Sequence, residues 1–184
     1  MRRIAQLMKR AARMLMPEIV GTIERRLLIS VRIDPQVAAR IIPRPLQPKI
    51  VNGWNIGGVC LIRLRHMRGK DTPEWCGLPS ENAAHRFAVQ WLDRGKVREG
   101  VYIPDRDTDS KLNHLVGGRL FPGTHHLADF QIWESDGRFR VGYDRRKGDC
   151  SVKVVARAVD RWPAGSAFES FGEISEFYRQ GNVG

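Results

Sequence analysis

Gly100-Val-Tyr-Ile-Pro-Asp-Arg-Asp-Thr-Asp-Ser-Lys-Leu-Asn-His-Leu-Val-Gly-Gly-Arg-Leu-Phe-Pro-Gly-Thr-His-His-Leu-Ala-Asp-Phe130 is the stretch on which the reading of this chain turns. An apolar run breaks at Pro104 into a charged cluster of Asp105, Arg106, Asp107 and Asp109. Asp107 or Thr108 is placed to cap a helix across Asp109–Val116, with Leu112, Leu115 and Val116 turned inward. Gly117-Gly118 ends that helix. Arg119–Pro122 then extends, and Gly123-Thr124 turns into a strand that starts at His125. A polar, turn-bounded segment between apolar strands lines a site more often than it fills a core.

Outward from this stretch the chain is mostly strand. Val97–Pro104 precedes it, and before that Ser80–Arg86 runs into the apolar Phe87–Leu92. Alternation puts Glu81, Ala83, His85, Phe87, Val89 and Trp91 on one side of that strand and Asn82, Ala84, Arg86, Ala88 and Gln90 on the other. Trp54–Arg65 is apolar on both faces, as a central strand covered on both sides would be, and Asn52-Gly53 joins it to Ile50-Val51 as a hairpin. Leu27–Ile33 is an earlier strand. Asp34 then caps a short helix opened by Pro35, which stops at Pro43, and Pro43–Pro48 crosses over in extended form. Met67–Pro79 is a loop. Ser135-Asp136-Gly137 closes a hairpin whose return strand is Phe139–Tyr143. Cys150–Val159 is a further strand and Phe171–Arg179 a helix. The sum is one β-rich α+β domain of seven or eight strands with two or three helices, without internal repeat or linker.

A chain of 184 residues is long enough for one real core, and 42% apolar residues with a mean hydropathy of −0.38 describe a globular protein. No run approaches the ~18 apolar residues of a membrane span. Cys60, Cys76 and Cys150 are widely separated and show no Cys-x-x-Cys spacing, so a reduced, cytoplasmic setting is expected without a disulfide framework or zinc ribbon. Charge is the unusual feature: 31 Lys+Arg against 20 Asp+Glu, net +11, pI about 10.3. Such a field favours anions: a carboxylate or phosphate ligand, an anionic membrane surface, or nucleic acid. Residues 1–20 are a basic N-terminal helix or leader ahead of a domain over 21–184. Within them Arg2, Arg3, Lys9, Arg10 and Arg13 lack an acidic partner, and Ile4, Leu7, Met8, Ala11, Ala12 and Leu15 recur at helical spacing up to Pro17. A docking helix, a membrane-surface helix and a presequence all fit this segment. The aromatics are not interleaved with this basic run, so no nucleic-acid partner is expected and a membrane surface is disfavoured.

Residues 100–130, together with Arg25–Asp34, Pro43–Pro48, Gly57–Arg65 and Ser80–Trp91, resemble the acetoacetate decarboxylase-like superfamily, and within it the YqjF-like family. The resemblance implies a cone-shaped, partly open β-barrel with a few short helices, and a cavity for a small carboxylate- or carbonyl-bearing ligand. In the decarboxylases a Gly-Phe-Pro-Lys-Lys-like turn supplies the lysine that forms a Schiff base. The comparable turn here keeps Phe121-Pro122 and Leu127-Ala128, but Gly123 and Thr124 stand where the lysines would be. Imine chemistry by that route therefore lacks its amine, and Lys111, the nearest lysine, is most simply a surface residue. Members of the superfamily continue for several further strands, so a C-terminally shortened barrel with exposed edges, and from this a homo-oligomer, is expected.

The candidate catalytic residues are Glu81, His85 and His125, and the candidate ligand-binding residues are Arg63, Arg65, Arg106, Arg119 and His126. The resemblance matches Glu81 to an acidic residue lining the decarboxylase pocket; a strand-end carboxylate paired with an arginine is its other reading. Arg63 and Arg65 emerge on one side of their strand, either solvated or gripping an anion. Arg106 and Arg119 either brace the helix start or bind a carboxylate. No metal centre and no cofactor is expected. A Ser-His-Asp pattern, a phosphate loop and a dinucleotide fingerprint are all missing. The function expected is binding of a small anionic ligand, with lyase or hydrolase activity that avoids a Schiff base. A non-catalytic ligand-binding or scaffold protein is one alternative, and a basic nucleic-acid or membrane-surface binder acting through the N-terminal segment is another.

Overall fold

The structure is a computed structural model that describes residues 18–120 and 123–180, with side chains except at 116 and 118–120. The expected basic helix at the N-terminus lies outside the described residues, and strand β1 already begins at Ile19. The strands are β1 (Ile19–Ile33), β2 (Gln47–Pro48), β3 (Ile50–Val51), β4 (Trp54–Gly69), β5 (Leu78–Asp93), β6 (Lys96–Tyr102), β7 (Asp105–Thr108), β8 (Thr124–Ser135), β9 (Arg138–Arg145) and β10 (Ser151–Arg157). The helices are α1 (Pro35–Ile41), α2 (Lys111–Leu120) and α3 (Phe171–Gln180). One sheet runs β1-β4-β5-β7-β8-β9-β10, with β2 and β6 also paired to β5 and β3 to β4. It is strongly curled into a half-barrel. Every pairing is antiparallel except β7 with β8. Among the described residues no helix is long and apolar enough to cross a membrane.

Local chemistry explains the turns. Asn52-Gly53, Arg94-Gly95 and Asp136-Gly137 all carry positive φ at both residues, the primed turn whose twist matches that of the strands it joins. The Asp34 carboxylate accepts the Gln36 and Val37 amides, and Pro35 starts α1. At Gly58, φ is 139°, and a side chain there would collide with the Ile29 carbonyl of β1. Only glycine lets β1 and β4 lie this close.

Curling puts one face of the sheet inside. Leu61, Ala83, Ala128, Val141 and Tyr143 are buried there, backed by Leu27, Ile29, Phe130 and Val154, and Phe130 stacks on Tyr143 at 5.0 Å. Fully burying a side chain the size of Leu61 is worth about 1.5–3 kcal/mol. Helix α1 closes one end through Ala38 and Ile42 against Val89. On the outer face, the segment after β10 and α3 cover Ile56 and Ala88 with Trp162, Phe168, Ile174 and Phe177. The two apolar faces expected of Trp54–Arg65 are thus both covered.

Three expectations are corrected. Asp105–Thr108 is a strand rather than a helix lead-in. It joins β5 to β8 by pairing Asn82↔Thr108 and Asp105↔Thr124. The cap of α2 is Ser110, whose hydroxyl accepts the Asn113 amide at 3.2 Å, because Asp107 is drawn into the interior. Gly117-Gly118 does not end α2, which continues to Leu120. Gly117 is buried against the His125 ring, which occupies the space a side chain would need.

Candidate functional site

Alternation along the inward faces gathers ionisable side chains into two groups. At one side of the curl Arg63 lies opposite Glu81 across β4 and β5. Glu81 holds Arg63 through Oε1 and Arg25 through Oε2, the latter at 2.6 Å. Both guanidiniums also reach Glu134 on β8, Arg63 at 3.0 Å. Two arginines and two glutamates cancel, and a link from β1 to β8 closes the curl where no backbone pairing does. Arg65 lies at the margin and donates to Glu24 at 3.1 Å. Glu81 and Arg63 are therefore brought together, with both Glu81 oxygens committed to arginines.

The second group surrounds Asp107, whose side chain is fully buried. Arg145 donates to its two oxygens at 2.6 and 3.2 Å. His85 Nε2 lies 3.1 Å from Asp107 Oδ2 and 2.8 Å from the Tyr143 hydroxyl, and Cys150 Sγ is 4.0 Å away. Burial pushes the Asp107 carboxyl up, but hydrogen bonds from His85 and Arg145 and their charge outweigh it, leaving it below its ordinary range. Burial raises the Tyr143 hydroxyl, so it stays a neutral phenol. Aspartate, tyrosine and thiol all converge on one imidazole nitrogen. A nucleophilic triad needs the acid and the nucleophile on opposite nitrogens, so this cluster has a different arrangement. His126 pairs with Asp105 at 2.9 Å nearby.

The outward side of β7 carries the third feature. Arg106 lies opposite His125 in the parallel β7–β8 register. With Leu46, Val101, Tyr102, Ile103, Pro104, Gly123 and Thr124 it lines a groove of about 370 Å³. The groove opens where β6 stops and β7 takes over as the partner of β5, at the Ile103-Pro104 break. Burial lowers the Arg106 pKa from its ordinary value. Burial also holds His125 below the ordinary imidazole range, with Arg106 among the cations that add to the shift. His125 Nδ1 donates to the Gly123 carbonyl at 3.2 Å. Gly123 has φ of 114°, and a Cβ there would press on the Ile103 carbonyl at 2.8 Å. Position 123 is thus one where the backbone itself demands glycine.

No family model, curated protein or solved structure matches this chain. The side chains alone must carry the assignment. Lys111 is exposed. The side chain of Arg119 lies outside those described. Among the described residues no three His, Cys, Asp or Glu are arranged to hold a metal ion. Asp129 lies on the outward face of β8 and is held by Arg146 at 2.8 Å.

Sequence reasoning missed Arg25, Glu134, Tyr143 and Arg145 as partners of the named residues. A signal existed for two of them. Extending the alternation of Val141 and Tyr143 by one step places Arg145 inward, and extending Phe130 and Ile132 places Glu134 inward. Arg25 is linked to Glu81 across 56 residues, and nothing local announces that pairing.

Proposed function

We propose that this protein binds a small organic carboxylate in the groove at the Ile103-Pro104 break, with Arg106 as the residue that grips the carboxylate. The observation that carries this reading is the groove's composition. Arg106 is the one charged side chain among lining residues that are otherwise apolar, hydroxyl-bearing or backbone. A carboxylate suits a guanidinium that burial has partly stripped of water, because two parallel hydrogen bonds replace lost hydration and the charges attract in a lowered dielectric. The resemblance to the acetoacetate decarboxylase-like superfamily supports the same ligand class. Glycine at position 123 argues against an imine and for binding, or for chemistry that needs no amine.

The inward clusters support a structural role for Glu81, Arg63 and His85. Their polar atoms face one another. Two other grooves lie on the outer face of β8–β10 and beside Trp162–Phe168. The last of these is larger, about 680 Å³, but its arginine, Arg32, is exposed and stacked on Trp54 at 5.5 Å.

Thermal shift with acetoacetate and propionate tests the proposal. A ligand at ten times its Kd stabilises by about 1.4 kcal/mol, or about 3–6 °C for a chain of this size. The shift should vanish in Arg106→Leu. No shift in the wild type, or an equal shift in the variant, would refute the assignment.

A further inference from the structure

The outer face of β8, β9 and β10 is a second surface, remote in register from the Arg106 groove. Pairing arranges its side chains in three rows: Gln131–Gly142–Lys153, Trp133–Arg140–Val155 and Ser135–Arg138–Arg157. Apart from Gly142 every one of these residues is exposed, Trp133 at 49% and Val155 at 80%. The nine positions hold four cations and no acid. Arg140 lies over the Trp133 ring at 5.4 Å, and among the described residues no carboxylate pairs with Arg138, Arg140, Lys153 or Arg157. Asp129 and Asp144 are one row further on, with Asp129 held by Arg146, and Asp136 in the β8–β9 turn accepts the Ser135 hydroxyl at 2.8 Å. Gly142 leaves the middle of the face low, so Trp133, Arg140, Lys153 and Val155 rim a shallow groove of about 350 Å³.

We propose that this face binds single-stranded nucleic acid, with a base stacked on Trp133 and the backbone phosphates held by Arg138, Arg140, Lys153 and Arg157. Charge complementarity selects a polyanion, in keeping with a net charge of +11. The half-exposed indole beside the low floor selects a flat aromatic ligand, since bases of any sequence stack on aromatic rings while phosphates follow flanking cations. Same-face neighbours along a strand are about 7 Å apart and adjacent strands about 5 Å. Arg138 and Arg157 therefore border the indole row on one side and Lys153 on the other, while Arg140 lies within it. A second copy of the chain would bring four cations against four. A bilayer would call for a wider apolar band than Trp133 and Val155 provide. Aromatic and basic residues that are not interleaved along the N-terminal run are interleaved here by strand pairing.

Fluorescence anisotropy of the full chain with labelled oligo(dT) and oligo(U) of about 15 nucleotides tests the proposal. Binding should weaken with salt at a log–log slope near −3, from four phosphate contacts at about −0.7 each. Arg138→Gln/Arg140→Gln/Lys153→Gln/Arg157→Gln should remove nearly all of that slope and at least about a hundredfold in affinity at about 50 mM salt. Trp133→Ala should cost about tenfold with the slope retained, and Trp133→Phe should recover most of it. All of these side chains are exposed, and an unchanged thermal midpoint serves as the folding control. The proposal is overturned if the wild type does not bind, or if the fourfold variant binds as well as the wild type, which would move binding to another basic segment. Tighter binding to phosphatidylserine vesicles or to poly-glutamate than to either oligonucleotide, lost in the same variants, would overturn it in favour of those partners.

Discussion

The inward and outward charges of this half-barrel follow opposite rules. Inside, Arg25, Arg63 and Arg145 each meet a carboxylate, and Asp107, Glu81 and Glu134 each meet a guanidinium. Outside, on β8–β10, Arg138, Lys153 and Arg157 face solvent with no described acid against them, and Arg140 rests on an indole. The difference is one of dielectric. A buried charge without a partner costs several kcal/mol, so the interior accepts charge only in matched sets, whereas water solvates an exposed cation cheaply. Charge inside therefore holds the curl together, and charge outside is available to a partner. Arg106 is intermediate: half-buried, desolvated, and at the rim of a groove.

The comparison is broken most directly at Asp107. Asp107→Ala leaves Arg145 buried without its main partner, and urea unfolding should show a loss of about 3–5 kcal/mol. Glu81→Gln should cost less, about 2 kcal/mol, because Glu134 still faces both arginines. The double variant with Glu134→Gln should exceed the sum of the singles, and additivity would mean that the two carboxylates do not share the load.

Acid should act on His125 first and on the interior Asp107 second. His125 is held below its ordinary 6.5, so the unfolded chain takes up that proton more readily and stability declines as the pH falls under 6.5 toward the lower folded value. Asp107 is held below its ordinary 3.8, so its contribution, present above that pH, is lost as the pH falls further, through the folded value. Urea midpoints measured down a pH series should show both declines, with His125→Gln removing the first and Asp107→Asn the second. Tyr143→Phe, which deletes the 2.8 Å bond to His85, should cost about 1 kcal/mol. At the outer face, Arg138→Gln and Lys153→Gln should each change stability by less than about 0.5 kcal/mol. A larger effect there would erase the distinction between the two faces.

Local pattern revealed much of the fold. Asn52-Gly53 and Asp136-Gly137 announced their turns, Asp34-Pro35 announced α1, and the two-sided apolar content of Trp54–Arg65 announced a covered central strand. The stretch from Asp105 to Gly118 was harder. Asp107 beside Thr108 has the composition of a helix cap, yet it is a strand residue, because pairing with β5 and β8 and an ion pair with Arg145 outweigh the capping preference. Gly117 has the composition of a helix end, yet its lack of a side chain is used to seat His125. Alternation put Glu81 and His85 on one face and Arg63 with Arg65 on another, but the partners of Glu81, His85 and Arg63 lie 18 to 71 residues away in sequence. No periodicity reports such distances.

From the order of its residues alone, this protein has its strand-rich character, its primed turns, its excess of positive charge and its lack of lysine at positions 123 and 124. These depend on interactions within a few residues, on backbone sterics, or on simple composition. Which arginine meets which glutamate, that Asp107 goes inside while Arg106 lines a groove, and that Trp133 sits among four cations were decided only by the curl and register of the sheet. Those contacts form between strands far apart in the chain, where packing and desolvation choose among arrangements that look alike along the sequence.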